Sequence, residues 1–263
     1  MYLVTIENDN RASSFIQQIE VDQVYPLSIA EGLQTGEVFA DDLDNPSCYL
    51  YWHYCGFAYL AGEYDEAFIC EIKNKMHHPS RGHSGRLALE AGNDKRLEQM
   101  LLKDGTIQKN EQYLFEFKNP VTQNTLPEPG VDLLPIDSNN YEMMSGRIVP
   151  AFSWESKEQF LKHGFGYCLM NRGKFAACAF SAGISEEFVD IGVETAQEYR
   201  GKGYGKIVVS KMIEEILRRG KTPVWQCHVG NEISKRLAVS QGFQVRGVHP
   251  LYKWNGLDGV RSD

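Results

Sequence analysis

Eight consecutive residues, Tyr199-Arg200-Gly201-Lys202-Gly203-Tyr204-Gly205-Lys206, constrain this chain more than any others. They stand between a strand-like run and a long amphipathic helix pattern. Three glycines at alternate positions let the main chain approach an anion closely, because no Cβ stands in the way. The helix that follows offers unpaired N–H groups and the positive end of its dipole. Strand, glycine loop and helix start, in that order, make a diphosphate cradle.

Spacing tests which diphosphate. A nucleotide P-loop places four residues between its first glycine and Gly-Lys, then Ser or Thr. Here three residues separate Gly201 from Gly205, and Ile207 follows Lys206. A dinucleotide fingerprint reads G-x-G-x-x-G, opens the first βαβ unit and has an acid about 20 residues on. The spacing here is G-x-G-x-G, and Pro223-Val224 occupy that later neighbourhood.

The chain has 263 residues, 42% hydrophobic and 24% charged, a composition that supports a sizeable core. It lacks an apolar run of ~18 residues, so no membrane span is expected. Met1–Asp9 lacks a basic region, a sustained apolar core and a cleavage site, so no secretory signal is expected. The six cysteines (Cys48, Cys55, Cys70, Cys168, Cys178, Cys227) form no C-x-x-C pair and read as reduced thiols of a cytoplasmic protein. Net charge is −8, unevenly spread: residues 1–130 hold 10 Lys and Arg against 20 Asp and Glu. An acidic half argues against nucleic acid and suits a cationic partner; it equally suits solubility alone.

Prolines and turn formers gather at 119–135 and read as a linker between a domain at 1–130 and another at 131–263. In the first, Glu37–Ala40, Cys48–His53, Phe57–Leu60, Arg86–Glu90 and Tyr113–Phe117 read as strands, and Asp94–Leu102 as a helix. In the second, the expected order is a short strand at Leu133–Ile136, helical segments near Asn140–Met144 and Trp154–Lys162, strands at Phe165–Met170, Phe175–Phe180 and Phe188–Thr195, a helix at Gly203–Arg219, a strand at Thr222–Val229, a helix from Asn231 to Gly242, and strands at Phe243–Val248 and Leu251–Trp254. Val209, Met212, Ile213 and Ile216 give the first of those helices a core-facing stripe.

Arg200-x-x-Gly203-x-Gly205 at a strand-to-helix junction resembles the coenzyme A loop, (Gln/Arg)-x-x-Gly-x-(Gly/Ala), of the GNAT N-acetyltransferase family. The strand Val189-Asp190-Ile191-Gly192-Val193 before it, and Asn231 twelve positions before the Phe of Gly242-Phe243, agree in order with that family. The resemblance covers roughly 131–255. The mixed first half beside it resembles two-part bacterial acetyltransferases, including those similar to zwittermicin-type resistance enzymes, with residues 36–118 a degenerate GNAT-like half that lost its loop.

The resemblance implies an α+β fold with a splayed central sheet flanked by helices. It implies an acetyltransferase that uses acetyl-CoA without a metal to acetylate a small-molecule amine; the charge balance and the lack of a long apolar run lead to the expectation of neither nucleic acid nor membrane as partner. The acidic first half is expected to form one wall of the acceptor site. Main-chain groups of Ile191, Val193 and Thr195 are expected to pair with the pantetheine amides. Arg200, Gly201, Lys202, Gly203, Tyr204, Gly205 and Lys206 are expected to cradle the diphosphate, with Asn231 nearby. Glu194, then Asp190, is the expected proton acceptor. The family's usual tyrosine, seven positions after the asparagine, is Ala238 here. That departure motivates a second reading, an acyl-CoA sensor without turnover; Tyr199, Tyr204 and Tyr252 are alternative acids. Acceptor identity, acyl length and oligomeric state stay open.

Other patterns lead less far. His77-His78 with His83 lacks an acid or cysteine at ligand spacing. Gly82-His83-Ser84-Gly85 lacks the G-x-S-x-G spacing of a nucleophile elbow. Trp52, Trp154 and Trp225 read as core or as an acceptor pocket.

Overall fold

The computed structural model describes residues 1–5, 10–78, 86–119 and 128–256. The chain forms two compact units, Met1–Leu114 with Gly247–Asp263, and Phe115–Arg246. The division therefore falls inside strands rather than at the proline-rich 119–135 segment, of which residues 120–127 lie outside the described residues.

In the first unit, runs of aromatic and apolar residues form β1 (Tyr2–Val4), β2 (Gly36–Ala40), β3 (Cys48–His53), β4 (Phe57–Gly62) and β5 (Ala88–Glu90). The helices are α1 (Asn10–Phe15), α2 (Val24–Ala30), α3 (Glu66–His77) and α4 (Lys95–Leu102). β1 to β4 pair antiparallel in chain order, and β5 joins β4 in parallel. β3 is buried at every position. It shares a core with Phe68, Ile69, Ile72 and Met76 of α3 and with Leu97 and Leu101 of α4. Each such side chain contributes about 1.5–3 kcal/mol of hydrophobic stabilisation. Both helices start on an aspartate cap: Asp65 accepts from Phe68 N–H at 2.8 Å, and Asp94 from Arg96 N–H at 2.8 Å and Leu97 N–H at 3.2 Å.

β6 (Ile107–Phe117) runs from the first unit into the second. There follow β7 (Val131–Pro135), α5 (Lys157–His163), β8 (Gly166–Asn171), β9 (Lys174–Ile184), β10 (Phe188–Thr195), α6 (Tyr204–Arg218), β11 (Thr222–Val224), β12 (Gln226–His228), α7 (Glu232–Ser240) and β13 (Phe243–Trp254). The expected helix near 140–144 is a single 3-10 turn, Tyr141–Met143. β7 to β10 pair antiparallel in chain order, and β11 joins β10 in parallel. The element order of the first unit thus recurs: four antiparallel strands, a helix, a short parallel strand, a second helix. β13 returns to the first unit, where Leu251–Lys253 pair with β5.

The two faces of the second unit's sheet carry different cover. α6 supplies Val208, Val209, Met212, Ile213 and Ile216, all buried, to one face. The other face is closed by Trp154, Phe160 and Phe180, with ring centroids 5.5 and 6.4 Å apart along that row. Gly192 belongs to this row, since a Cβ there would lie 2.6 Å from the Phe180 ring. No helix among the described residues is long and apolar enough to cross a membrane.

Candidate active site

β10 and β11 share only three paired positions, Phe188↔Thr222, Val189↔Pro223 and Asp190↔Val224. The run expected as one strand, Thr222–Val229, breaks at Trp225; β12 belongs to the other sheet, beside β6. Beyond Asp190 one edge of β10 therefore has no strand partner among the described residues. The register on its other side identifies which groups face the gap. Ala196 N–H donates to Ala176 C=O of β9 at 3.0 Å, and Ser181, opposite Ile191, turns its N–H to Phe165 C=O at 2.9 Å. In an antiparallel ladder successive residues alternate sides. Gly192 and Glu194 thus bond toward β9, while Ile191, Val193 and Thr195 turn N–H and C=O into the gap. A β-bulge on β9 falls between Asp190 and Ile191, where the strands part. Thr195 is already engaged: its N–H meets Glu194 Oε1 at 3.2 Å and its C=O accepts from Arg200 Nε at 3.2 Å. Ile191 and Val193 are the free edge.

The glycine loop continues from this edge. Arg200 to Gly203 are exposed, and α6 begins at Tyr204. Gly201 and Gly203 both have φ of +81°, which side-chain-bearing residues adopt only with strain. A Cβ at either would meet no atom within 4 Å, so their main chain is open to the outside. Gly203 is the cap residue of α6 and provides no side-chain cap; Lys206 and Ile207 donate back to its C=O at 3.0 and 3.3 Å. The earlier amides of the turn have no main-chain partner among the described residues and form a concentrated donor set for an anion. Gly205 serves packing: a Cβ there would lie 3.3 Å from Thr195 Oγ1 and 3.8 Å from Leu237 Cδ2 of α7.

The cationic side chains arrange themselves unevenly. Arg200 folds back, Nη2 lying 3.7 Å from Glu194 Oε1. Lys202 Nζ lies 5.3 Å from the Tyr199 ring centroid, and Tyr199 stacks on Tyr204 at 5.9 Å. Lys206 is exposed.

Glu194 sits on the gap-bordering end of β10. Its Oε2 accepts from both Arg147 N–H and Ile148 N–H at 3.0 Å, so the carboxylate fastens the 146–148 segment to the strand. Gly146 (φ +129°) is required there, since a Cβ would lie 2.6 Å from Glu194 Cγ. Sequence spacing carried no signal for this segment, 46 residues upstream. Asp190 is 9% exposed and lies where β10 is still paired with β11. Asn231 caps α7, accepting from Ser234 N–H at 3.1 Å. Ala238 is fully buried. Burial pushes the thiols of Cys178 and Cys227 up, away from the thiolate that a nucleophile needs.

The remaining expectations resolve into structure. Trp52, Trp154 and Trp225 are at most 2% exposed, with indole N–H groups on Arg86 C=O, Ser181 C=O and Ser234 Oγ. They are core residues. Tyr252 meets Glu98 Oε2 at 3.4 Å in the first unit. His77 meets Thr106 Oγ1 at 3.1 Å, while His83 and the Gly82–Gly85 segment lie outside the described residues.

Known proteins share this fold. A family model for GNAT acetyltransferase matches residues 14–252, well beyond the 131–255 that the loop motif alone suggested. The uncharacterized N-acetyltransferase YdfB of Bacillus subtilis (strain 168) is 23% identical over 255 residues, 95% of this chain and 94% of its own. Among solved structures, a GCN5-related N-acetyltransferase-like protein from Streptococcus suis 89/1591 has a TM-score of 0.70 at 20% identity, covering 94% of each chain. A tandem GNAT protein from the clavulanic acid biosynthesis pathway has a TM-score of 0.62 at 9% identity, covering 95% of this chain and 96% of its own.

Proposed function

This chain belongs to the GNAT acetyltransferase family, whose co-substrate is acetyl-CoA, and from that premise we propose that it moves the acetyl group to the amine of a small, cationic acceptor. One observation carries the proposal: the open edge of β10 leads directly into the uncapped start of α6. Ile191 and Val193 present main-chain groups that a pantetheine amide can pair with as an added strand does. The amides from Gly201 to Gly205 then face the diphosphate. The charge of the first half, 20 acidic against 10 basic residues over 1–130, supports a cationic acceptor.

The chemistry is direct attack. An amine nitrogen forms a bond to the thioester carbonyl carbon, the C–S bond breaks, and the amine's proton must go to a base. Glu194 is proposed as that base, directly or through water, because it lies past the point where β10 and β11 part. Its bonds to Arg147 and Ile148 N–H fix its position. Asp190, before that point, is assigned a supporting role. Val193 N–H faces the gap and is proposed to donate to the developing oxyanion; losing one such donor costs about 3 kcal/mol. Ala238 supplies no acid, and the leaving thiolate does not require one, since thiol pKa values lie near ~8–9. The raised thiols of Cys178 and Cys227 favour this route over an acyl-cysteine relay.

The test is a thiol-release assay with acetyl-CoA and a panel of small amines, run beside coenzyme A calorimetry. Binding with turnover of a cationic amine is expected. Tight binding with silence across the panel defeats the transfer reading and leaves a sensor.

A further inference from the structure

The hairpin between β8 and β9 turns on a residue that resists the turn. Arg172 and Gly173 take positive φ, +49° and +75°, and Arg172 is the one such residue other than glycine among the described residues. A two-residue turn of this kind favours Asn-Gly or Asp-Gly, because a longer side chain strains the left-handed backbone. Strain of that kind persists where a ligand site needs the side chain.

Arg172 and Lys174 line a cavity of about 310 Å³, together with Glu128, Val131 and Tyr199. Both cations are exposed, and neither side chain has a hydrogen-bond or ion-pair partner among the described residues. The cavity adjoins the glycine turn. Thr195, at the end of β10, pairs with Ala177, which lies three residues from Lys174, so hairpin and turn leave the same end of the sheet. Tyr199 makes the junction. It lines the cavity, its ring stacks on Tyr204 of α6 at 5.9 Å, and Lys202 Nζ lies 5.3 Å from its centroid. Strand order in this sheet is β11, β10, β9, β8, β7. The cavity therefore lies toward β8, on the other side of β10 from the gap.

Two cations against one carboxylate, in a chain of net charge −8, favour an anion. The co-substrate has one to spare. The gap is suited to its pantetheine and the turn to its diphosphate. The ribose beyond that diphosphate carries a further phosphate as a 3′ ester. We propose that Arg172 and Lys174 hold this 3′-phosphate, with Tyr199 as the wall between it and the diphosphate turn. Arginine offers phosphate a planar fork of donors and lysine a point charge. Glu128 opposes them. This inference rests on the coenzyme A reading above.

Calorimetry with coenzyme A and with dephospho-coenzyme A, which lacks only the 3′-phosphate, tests it. The wild type is expected to bind coenzyme A at least about tenfold more tightly, the worth of one charge-assisted hydrogen bond. Arg172→Asn combined with Lys174→Gln is expected to abolish that difference by weakening coenzyme A alone. This double variant should melt no lower than the wild type, because Asn suits a φ of +49°. Glu128→Gln acts in the opposite sense: coenzyme A tightens about two- to fivefold and dephospho-coenzyme A is unchanged. Equal affinities in the wild type overturn the proposal and leave the acetyl-transfer reading intact. A double variant that weakens both ligands alike also overturns it, since the cations then serve the diphosphate. Titration with inorganic phosphate separates a free anion from the ester. Phosphate binding that persists with coenzyme A bound, and that the double variant loses, gives the cavity to an independent anion and overturns the proposal. Failure of both coenzymes to bind defeats the coenzyme A reading and this one together.

Discussion

α3 and α6 occupy the same place in their respective units, between a fourth antiparallel strand and a short parallel one, yet they begin in opposite ways. α3 starts on Asp65, whose carboxylate bonds Phe68 N–H and fills the helix start with negative charge. α6 starts on Gly203, left-handed and without a side-chain cap. In both units the parallel pairing lasts three positions: Phe57↔Ala88 to Tyr59↔Glu90 in the first, Phe188↔Thr222 to Asp190↔Val224 in the second. In the first unit β5 then finds another partner, because Leu251–Lys253 of β13 pair with it. The same supersecondary plan thus gives a sealed, self-capped version and an open one. An anion site needs the open one, since a helix start that has satisfied its own amides has none to offer.

Breaking this contrast should give the largest effect. Gly203→Glu puts a carboxylate where the diphosphate is proposed to sit and strains a φ of +81°. Coenzyme A affinity is expected to fall at least about 100-fold by calorimetry, the worth of one or two charge-assisted hydrogen bonds, with circular dichroism unchanged. The mirror change, Asp65→Gly, should leave coenzyme A stoichiometry at one; a second site appearing would show that the cap alone closes the first unit. Glu194→Gln comes next. As a lost base it lowers kcat/KM about 100-fold with coenzyme A affinity intact. A variant with full kcat and a lower melting temperature would reduce Glu194 to an anchor for residues 146–148. Asp65→Ala should cost about 1 kcal/mol in denaturant unfolding, the usual worth of a cap, with no change in kcat/KM.

The smallest effect concerns the far end of α6. Glu215 accepts from Arg218 Nε and Nη2 at 2.8 and 2.7 Å and from Arg219 Nε at 2.8 Å. The Arg218 bonds first, then Arg219, hold its carboxyl down at about 2. Because the folded value is depressed, the stabilisation is present above the ordinary carboxylate range and fades as pH falls toward about 2. Both arginines are exposed, which screens the pair. Glu215→Gln should cost about 1 kcal/mol at neutral pH, a difference that shrinks steadily in unfolding curves taken from pH 5 downward.

Legibility followed locality. β10 runs Phe188–Thr195 as its period-2 pattern predicts, and α6 differs from its expected bounds by one residue at each end. The run Thr222–Val229 became two strands in different sheets, and the two strands expected between Phe243 and Trp254 became one. α3 was legible but unread: the Asp65 cap and the stripe Phe68, Ile69, Ile72 and Met76 carried its signal. The extra length of β6, eleven residues rather than the five at Tyr113–Phe117, follows from pairing partners distant in the chain.

The sequence alone determined the glycine loop, the helix that backs it and the strand that leads into it, because each depends on residues within a few positions of one another. Tertiary structure decided what those elements face. It opened one edge of β10 by sending β12 to another sheet and tied Glu194 to a segment 46 residues away. Hydrogen bonding between strands and burial of side chains are non-local, and no spacing along the chain encodes them.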